Sequence, residues 1–308
     1  MMTNSERWFV IINPTSGNGS SKQKWPHIKS LLESYELDFD FGFTEHENHS
    51  PELLQQAIEN EILNIICVGG DGTLHNIVNG IMGQTIVPSN QINIGVIPIG
   101  TGNDWVKTHD IPNDFEKAIQ IIKNGNIKTQ DLGKIEFLND DRKLVYFNNF
   151  AGVGFDGFVV SKVHKYKHFG ALAYLTGAVL GLFSFKNFKS KVAVDNKEIN
   201  SKTLMILVGL CNYSGGGMQL TKNANPFDGL FDISIAKNLS KFDIIKNLTK
   251  LFNGKIVNHN KVETLKSDEI TIKIDEDELP FIQADGELIG KGNIKVSVVP
   301  KAFAFYCN

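Results

Sequence analysis

Asp71 stands among three glycines, Gly69, Gly70 and Gly72, in the stretch IICVGGDGTLHN (residues 65–76), directly behind an apolar run. Backbone without side chains lets N–H groups and small hydroxyls approach phosphate oxygens closely, and a helix opening there adds partial positive charge. A carboxylate in such a cradle is repelled by phosphate unless a metal ion or an incoming hydroxyl offsets its charge, which gives Asp71 an active part. Two further stretches share the composition: NPTSGNG (13–19) and PIGTGND (98–104). Any one of the three could be a plain tight turn; three at matching positions point to a nucleotide phosphate cradle.

The positions match because of the elements around them. Up to about residue 131, apolar runs (WFVII, LDFDFGF, LNIICV, INIGVIPI) alternate with stretches of helical character. That order predicts an α/β domain, a doubly wound parallel sheet, whose ligands sit beyond the carboxyl ends of the strands. From 132 to 290 the texture changes to KLVYFNNFA, SKVAVDN, TLMILVGL, GLFDISIA and EITIKID with polar turns between them. This half reads as a mainly antiparallel β-sandwich.

Several classes are excluded. No GxxxxGK[ST] occurs, so the cradle is not a P-loop. A GxGxxG does occur in GVGFDG (152–157), but no acidic residue follows until Asp195, so the ribose-binding carboxylate of a Rossmann dehydrogenase is missing. A net charge of −3 without a basic tract gives no support for a nucleic-acid partner, and none is expected. Cys67, Cys211 and Cys307 are scattered, fitting a reducing cytoplasm. The start, MMTNSERWFVIINP, reads as a first strand rather than a signal peptide. FGALAYLTGAVLGLFSF (169–185) is uncharged but has only 17 residues, short of the roughly 20 that span a bilayer. It is flanked by lysines 162, 165, 167, 186, 189 and 191, which suit either a core helix with solvated ends or transient contact with an anionic membrane.

NPTSG, GGDGT and PIGTGND are followed in order by DLG (131–133), NFAGVGFDG, GGGM (215–218), NPFDGLFDI (225–233) and ADGE (284–287). This ordered set resembles the diacylglycerol kinase catalytic-domain family, which includes bacterial lipid kinases and the sphingosine and ceramide kinases. The resemblance covers nearly the whole chain. It implies a lipid kinase that is peripheral at the inner membrane surface, with ATP and Mg2+ as cofactors and a lipid carrying a free hydroxyl as acceptor. It further suggests that residues 291–308 return to the first domain. The state of association is left open, a homodimer among the options.

The resemblance places the phosphates over Gly69, Gly70, Asp71, Gly72 and Thr73. Asn13, Pro14, Thr15, Ser16, Gly17, Thr44 and Thr101 complete the nucleotide site. Asp228, with carbonyls of Asn225 and Leu230, corresponds to the magnesium site, and oxygen-only ligation suits that ion. DG is also a common hairpin turn, and on the residues alone the turn is the simpler reading. Glu287 is the expected proton acceptor, with Asp285 and Asp71 organising metal and hydroxyl. Asp104 reads most simply as the N-cap of the helix it opens. The family commonly has Asn-Glu after GGDGT, where this chain has His75-Asn76. The missing negative charge leaves room for a non-catalytic nucleotide sensor, and GGDGT alone would also fit a soluble kinase of the NAD kinase type. A histidine in the first turn of a helix is usually solvated or packed, and His46 and His49 show no convincing metal spacing.

Overall fold

The computed structural model describes residues 7–46, 48–100, 102–139, 143–163, 185–275 and 279–308. The chain divides into two compact units, Met1–Gln130 with Lys301–Asn308, and Asp131–Pro300. The change of unit thus falls one residue before the boundary expected from texture. The returning segment is shorter than 291–308.

The first unit is built on four strands, β1 (Arg7–Ile12), β2 (Asp38–Phe43), β3 (Asn64–Gly69) and β4 (Asn93–Pro98). They pair in parallel in the order β2-β1-β3-β4. Both faces of the sheet are covered, which is why β3 and β4 are apolar at nearly every position rather than alternating. Helices α1 (Ser20–Ser34) and α5 (Phe115–Asn124) pack together on one face over Trp8, Val10, Ile12, Ile66, Val68 and Ile97. Helices α2 (His49–Glu59) and α3 (Asp71–Gly83) pack together on the other. Gly80 permits that approach: a Cβ there would lie 2.9 Å from Leu54. The order reverses between β1 and β3, one neighbour lying to each side of β1. The loops leaving these two strands therefore part to opposite faces and open a crevice at the sheet's carboxyl edge.

The second unit is antiparallel and contains the β-sandwich-like domain. Strands β7 (Phe150–Gly154), β8 (Phe188–Val194), β9 (Lys197–Gly209), β10 (Phe231–Lys237) and β12 (Glu269–Ile274) carry most of it. The long β9 pairs with β8 through its first half and with both β7 and β10 through its second. KLVYFNNFA is two strands rather than one, β6 (Leu144–Phe147) and β7, broken at Asn148-Asn149. Strands β5 (Ile127–Phe137) and β11 (Val262–Ser267) and the hairpin of β13 (Ile282–Ala284) and β14 (Glu287–Gly290) were not anticipated. β15 (Ile294–Tyr306) serves both units. Its residues 294–297 pair with β12, and Ala304 and Phe305 pair in parallel with Asn93 and Ile94 of β4.

Candidate active site

The three glycine loops of the first unit converge, and Thr73 is the pin. Its buried hydroxyl accepts from Asn13 Nδ2 at 3.0 Å and lies 3.4 Å from Ser16 Oγ. Asn13 Oδ1 in turn accepts from the Thr15 N–H at 3.0 Å and the Thr15 hydroxyl at 2.8 Å, folding the segment Asn13-Pro14-Thr15 into a turn. Thr44, at the end of β2, is tied to β1 by its N–H on Ile12 O at 2.8 Å. Glycine is required where loops meet. A Cβ on Gly17, whose φ is +59°, would lie 2.9 Å from Ile99, and one on Gly70 would lie 3.3 Å from Gly100 Cα. Thr101, expected in this site, lies outside the described residues, as does most of the 169–185 segment.

Asp71 opens α3, and its carboxylate accepts from two backbone N–H groups of the third loop, Asp104 at 3.1 Å and Trp105 at 3.3 Å. These belong to the first turn of α4 (Asp104–Thr108), so Asp71 caps a helix thirty-three residues away. The N-terminal end of α4, with its partial positive charge, faces this carboxylate. The expectation that Asp104 is the N-cap is corrected. The cap position is Asn103, in the left-handed region at φ +50°, and Asp104 is the first helical residue, paired with Lys107 at 3.0 Å. Asn103 is a residue the sequence did not reveal. It is buried, its Nδ2 donates to Gly100 O and Asn113 Oδ1, and its Oδ1 has no partner among the described residues.

The returning segment fixes α4 from the other side. Trp105 is fully buried, packs against Phe303 and Phe305, and donates from Nε1 to Gln130 Oε1 at 2.9 Å. His109 lies between the Trp105 and Phe305 rings, and burial pushes its pKa down to about 3, so it is neutral at working pH. Behind the GGDGT loop, burial and the neighbouring Asp71 push the Cys67 thiol up to about 12, which makes it inert. His75 is buried rather than solvated, and Asn79 reaches its Nε2 at 3.3 Å.

In the second unit, Asp285 and Gly286 form the tip of the β13–β14 hairpin, both with positive φ (+50° and +84°). That fits the tight hairpin turn for which Asp-Gly is favoured. The Asp285 carboxylate is buried and accepts three backbone N–H bonds, from Asn148 at 3.1 Å, Asn149 at 2.9 Å and Phe150 at 3.0 Å. It clamps the hairpin to the β6–β7 corner, where β7 pairs with β13. Gln283 braces the same tip: its Oε1 accepts from Gly286 N at 2.7 Å and its Nε2 donates to Asp156 at 2.5 Å. Burial raises the Asp156 pKa to about 6, a shift that the Gln283 hydrogen bond opposes. Glu287 follows the tip and is half-buried at the start of β14. The sequence singled out neither residue: Gln283 lies in a strand that was not anticipated, and Asp156 appeared only as part of GVGFDG.

The NPFDGLFDI loop is held by its own side chains and by Asp131 and Lys266 from outside it. Asn225 Oδ1 accepts from Phe227 N, Asp228 Oδ1 from Leu230 N, and Asp131 from Gly229 N at 2.8 Å. Lys266 bridges Asp228 and Asp232, at 3.1 Å each. Asp232 is buried, and burial raises its pKa despite that ammonium. The available donors, Asp228 and the carbonyls of Asn225 and Leu230, are all oxygen and fit a hard divalent ion. Such an ion competes with Lys266 for Asp228.

His46, His49 and Glu52 come together despite their unpromising spacing, with potential ligand atoms all within 4.8 Å. The two rings stack, and His49 Nδ1 accepts from Glu45 N at 3.0 Å. No helix among the described residues is long and apolar enough to cross a membrane.

Residues 7–135 match the family model of the diacylglycerol kinase catalytic domain, and residues 149–307 match that of the YegS C-terminal NAD kinase beta sandwich-like domain. Over 288 residues the chain is 30% identical to a Staphylococcus epidermidis (strain ATCC 35984) protein named diacylglycerol kinase, covering 93% of this chain and 87% of that one. It is 29% identical over 306 residues to Bacillus subtilis (strain 168) YtlR, whose name proposes a lipid kinase, covering 95% and 97%. A crystal structure of a diacylglycerol kinase from Bacillus anthracis str. Sterne superposes with a TM-score of 0.74 at 22% identity, over 99% of this chain and 98% of that one, and shares the fold. The chain belongs to the diacylglycerol kinase catalytic-domain family of lipid kinases.

Proposed function

We propose that the protein transfers the γ-phosphate of ATP, in a magnesium-dependent reaction, to the hydroxyl of a lipid such as diacylglycerol. The observation that carries this reading is the convergence of three glycine loops at the point where the strand order reverses, pinned through Thr73 and Asp71. Phosphoryl transfer asks a protein mainly for positioning and charge neutralisation, and a cradle of braced backbone supplies both. The loops containing Asn13, Ser16, Gly17, Gly69, Gly70 and Gly72 hold the phosphates, and Asp71 keeps the third loop in register with the second.

In the second unit, Glu287 takes the proton of the acceptor hydroxyl, and Asp285 keeps the hairpin that carries it in place. A carboxylate is a weak base, so Glu287 chiefly orients the hydroxyl and accepts its proton late. Asp228 with the carbonyls of Asn225 and Leu230 would hold magnesium, which when bound supplies positive charge against the transferring group.

The test is transfer of labelled γ-phosphate from ATP with magnesium to a panel of micellar lipids and to NAD, by the native protein and by Glu287→Gln. A labelled lipid that disappears in the variant is the expected result. Label in NAD would replace the acceptor class, and ATP binding without transfer to any acceptor would make the protein a sensor. Undiminished transfer by Glu287→Gln would remove that residue from the mechanism.

A further inference from the structure

Between β10 and β11 lie two short helices, Lys241–Lys246 and Leu248–Phe252, meeting at Asn247. Asn247 N donates to Asp243 O and Ile244 O, and Lys250 N donates to Asn247 O, so helical bonding continues across the joint. The inner side is anchored: Ile244 packs against Leu204, Ala236 and Leu239, and Leu251 against Leu207, Leu220, Ile256 and Val257. A surface helix with one packed face should turn polar residues outward. Here the outward row, Phe242, Ile245, Thr249 and Phe252, follows i, i+3, i+7, i+10 spacing and is mostly apolar. Phe242 is 83% exposed, Ile245 44% and Phe252 43%.

The charges beside this row have one sign. Lys246 and Lys250 are exposed along it and Lys255 follows, and none of the three forms an ion pair among the described residues. From residue 240 to 262 the sole acidic residue is Asp243. It is spent on Lys261 at 2.6 Å and on the Ser240 cap, which together hold its carboxyl well below the usual range. Aromatic and aliphatic side chains at water, bordered by unpaired lysines, match a surface that is apolar beneath and negative at its face.

We propose that the Phe242–Ile245–Phe252 face with Lys246, Lys250 and Lys255 docks the protein on an anionic phospholipid bilayer. A second copy of this chain fits less well, because two-fold pairing of this face on itself sets lysines against lysines. The inference stands on exposure and charge alone and does not rest on the kinase reading.

The test is co-sedimentation of the full chain with vesicles of phosphatidylcholine alone and of phosphatidylcholine with phosphatidylglycerol, in low and high salt. Binding is expected to the anionic vesicles and to weaken with salt. Lys246→Glu/Lys250→Glu should weaken it roughly fivefold or more per lysine. Phe242→Ser/Phe252→Ser should weaken it at least about tenfold by removing buried apolar area. Both variants should unfold like the native chain, since the side chains face outward. Equal binding to neutral and anionic vesicles, or unchanged binding by both variants, would overturn the proposal. So would a dimer in sedimentation velocity that Phe242→Ser dissolves, which would give the face to a second copy.

Discussion

Asp285 is expected to matter for stability before it matters for chemistry. Its Oδ1 holds the Asn149 and Phe150 N–H groups and its Oδ2 holds Asn148 N–H, in a residue 8% exposed. Alanine strands three backbone donors; a buried donor without a partner costs about 1–3 kcal/mol, so the sum is about 3–6 kcal/mol after partial relaxation. Asparagine can keep the Oδ1 bonds but turns an amide N–H2 towards Asn148 N–H, for a cost of about 2–3 kcal/mol. Against a total stability of about 5–15 kcal/mol, the alanine variant approaches the limit of folding. Urea unfolding measures this as a lowered midpoint at constant slope. Glu287→Gln, outside the clamp, is the comparison for chemistry: phosphoryl transfer should fall while the Asp285 bonds stay in place. Unfolding of Asp285→Ala within about 0.5 kcal/mol of the native chain would refute the clamp, since surface changes of no consequence fall in that range.

Asp71→Ala should release the first turn of α4 at a cost of about 1–2 kcal/mol, as for a lost N-cap. Hydrogen exchange at the Asp104 and Trp105 amides should accelerate; unchanged exchange would mean that Asp71 does not hold them. Lys266→Met should leave Asp232 buried without its cation, costing about 1–3 kcal/mol once the 41% exposure of Lys266 is allowed for. Because burial raises the Asp232 pKa, that loss should shrink as pH falls and the carboxylate takes a proton; a loss that grew on acidification would contradict the assignment. The raised pKa of Asp156, about 6 in the folded chain, means that ionisation in place opposes folding. The cost is fully present above about pH 6 and is relieved as pH falls towards the unfolded value near 4. Asp156→Asn should therefore gain stability over the native chain at pH 8 and lose that gain at pH 4, which parallel denaturant curves would show.

The sequence by itself determined the parallel half of the fold and its glycine loops, because those signals are local. A strand covered on both faces has to be apolar along its length, and a loop that meets another backbone has to shed its Cβ atoms; both rules are written in consecutive residues. The β-rich runs after residue 131 pointed to the antiparallel half, and resemblance of an ordered motif set added the family. Only the tertiary structure decided what the carboxylates hold. Nothing in the sequence pairs Asp71 with the N–H groups of Asp104 and Trp105, which lie in another loop. Asp285 of ADGE was expected beside Glu287 as an organiser of metal and hydroxyl, and the sequence did not show that its carboxylate accepts three backbone amides. Backbone donors carry no residue identity, so no sequence pattern names them. The same limit hid the outward row at Phe242, since apolar residues on two sides of a short helix do not say which side meets the core. That choice belongs to the sheet the helix packs on, assembled from strands far apart in the chain.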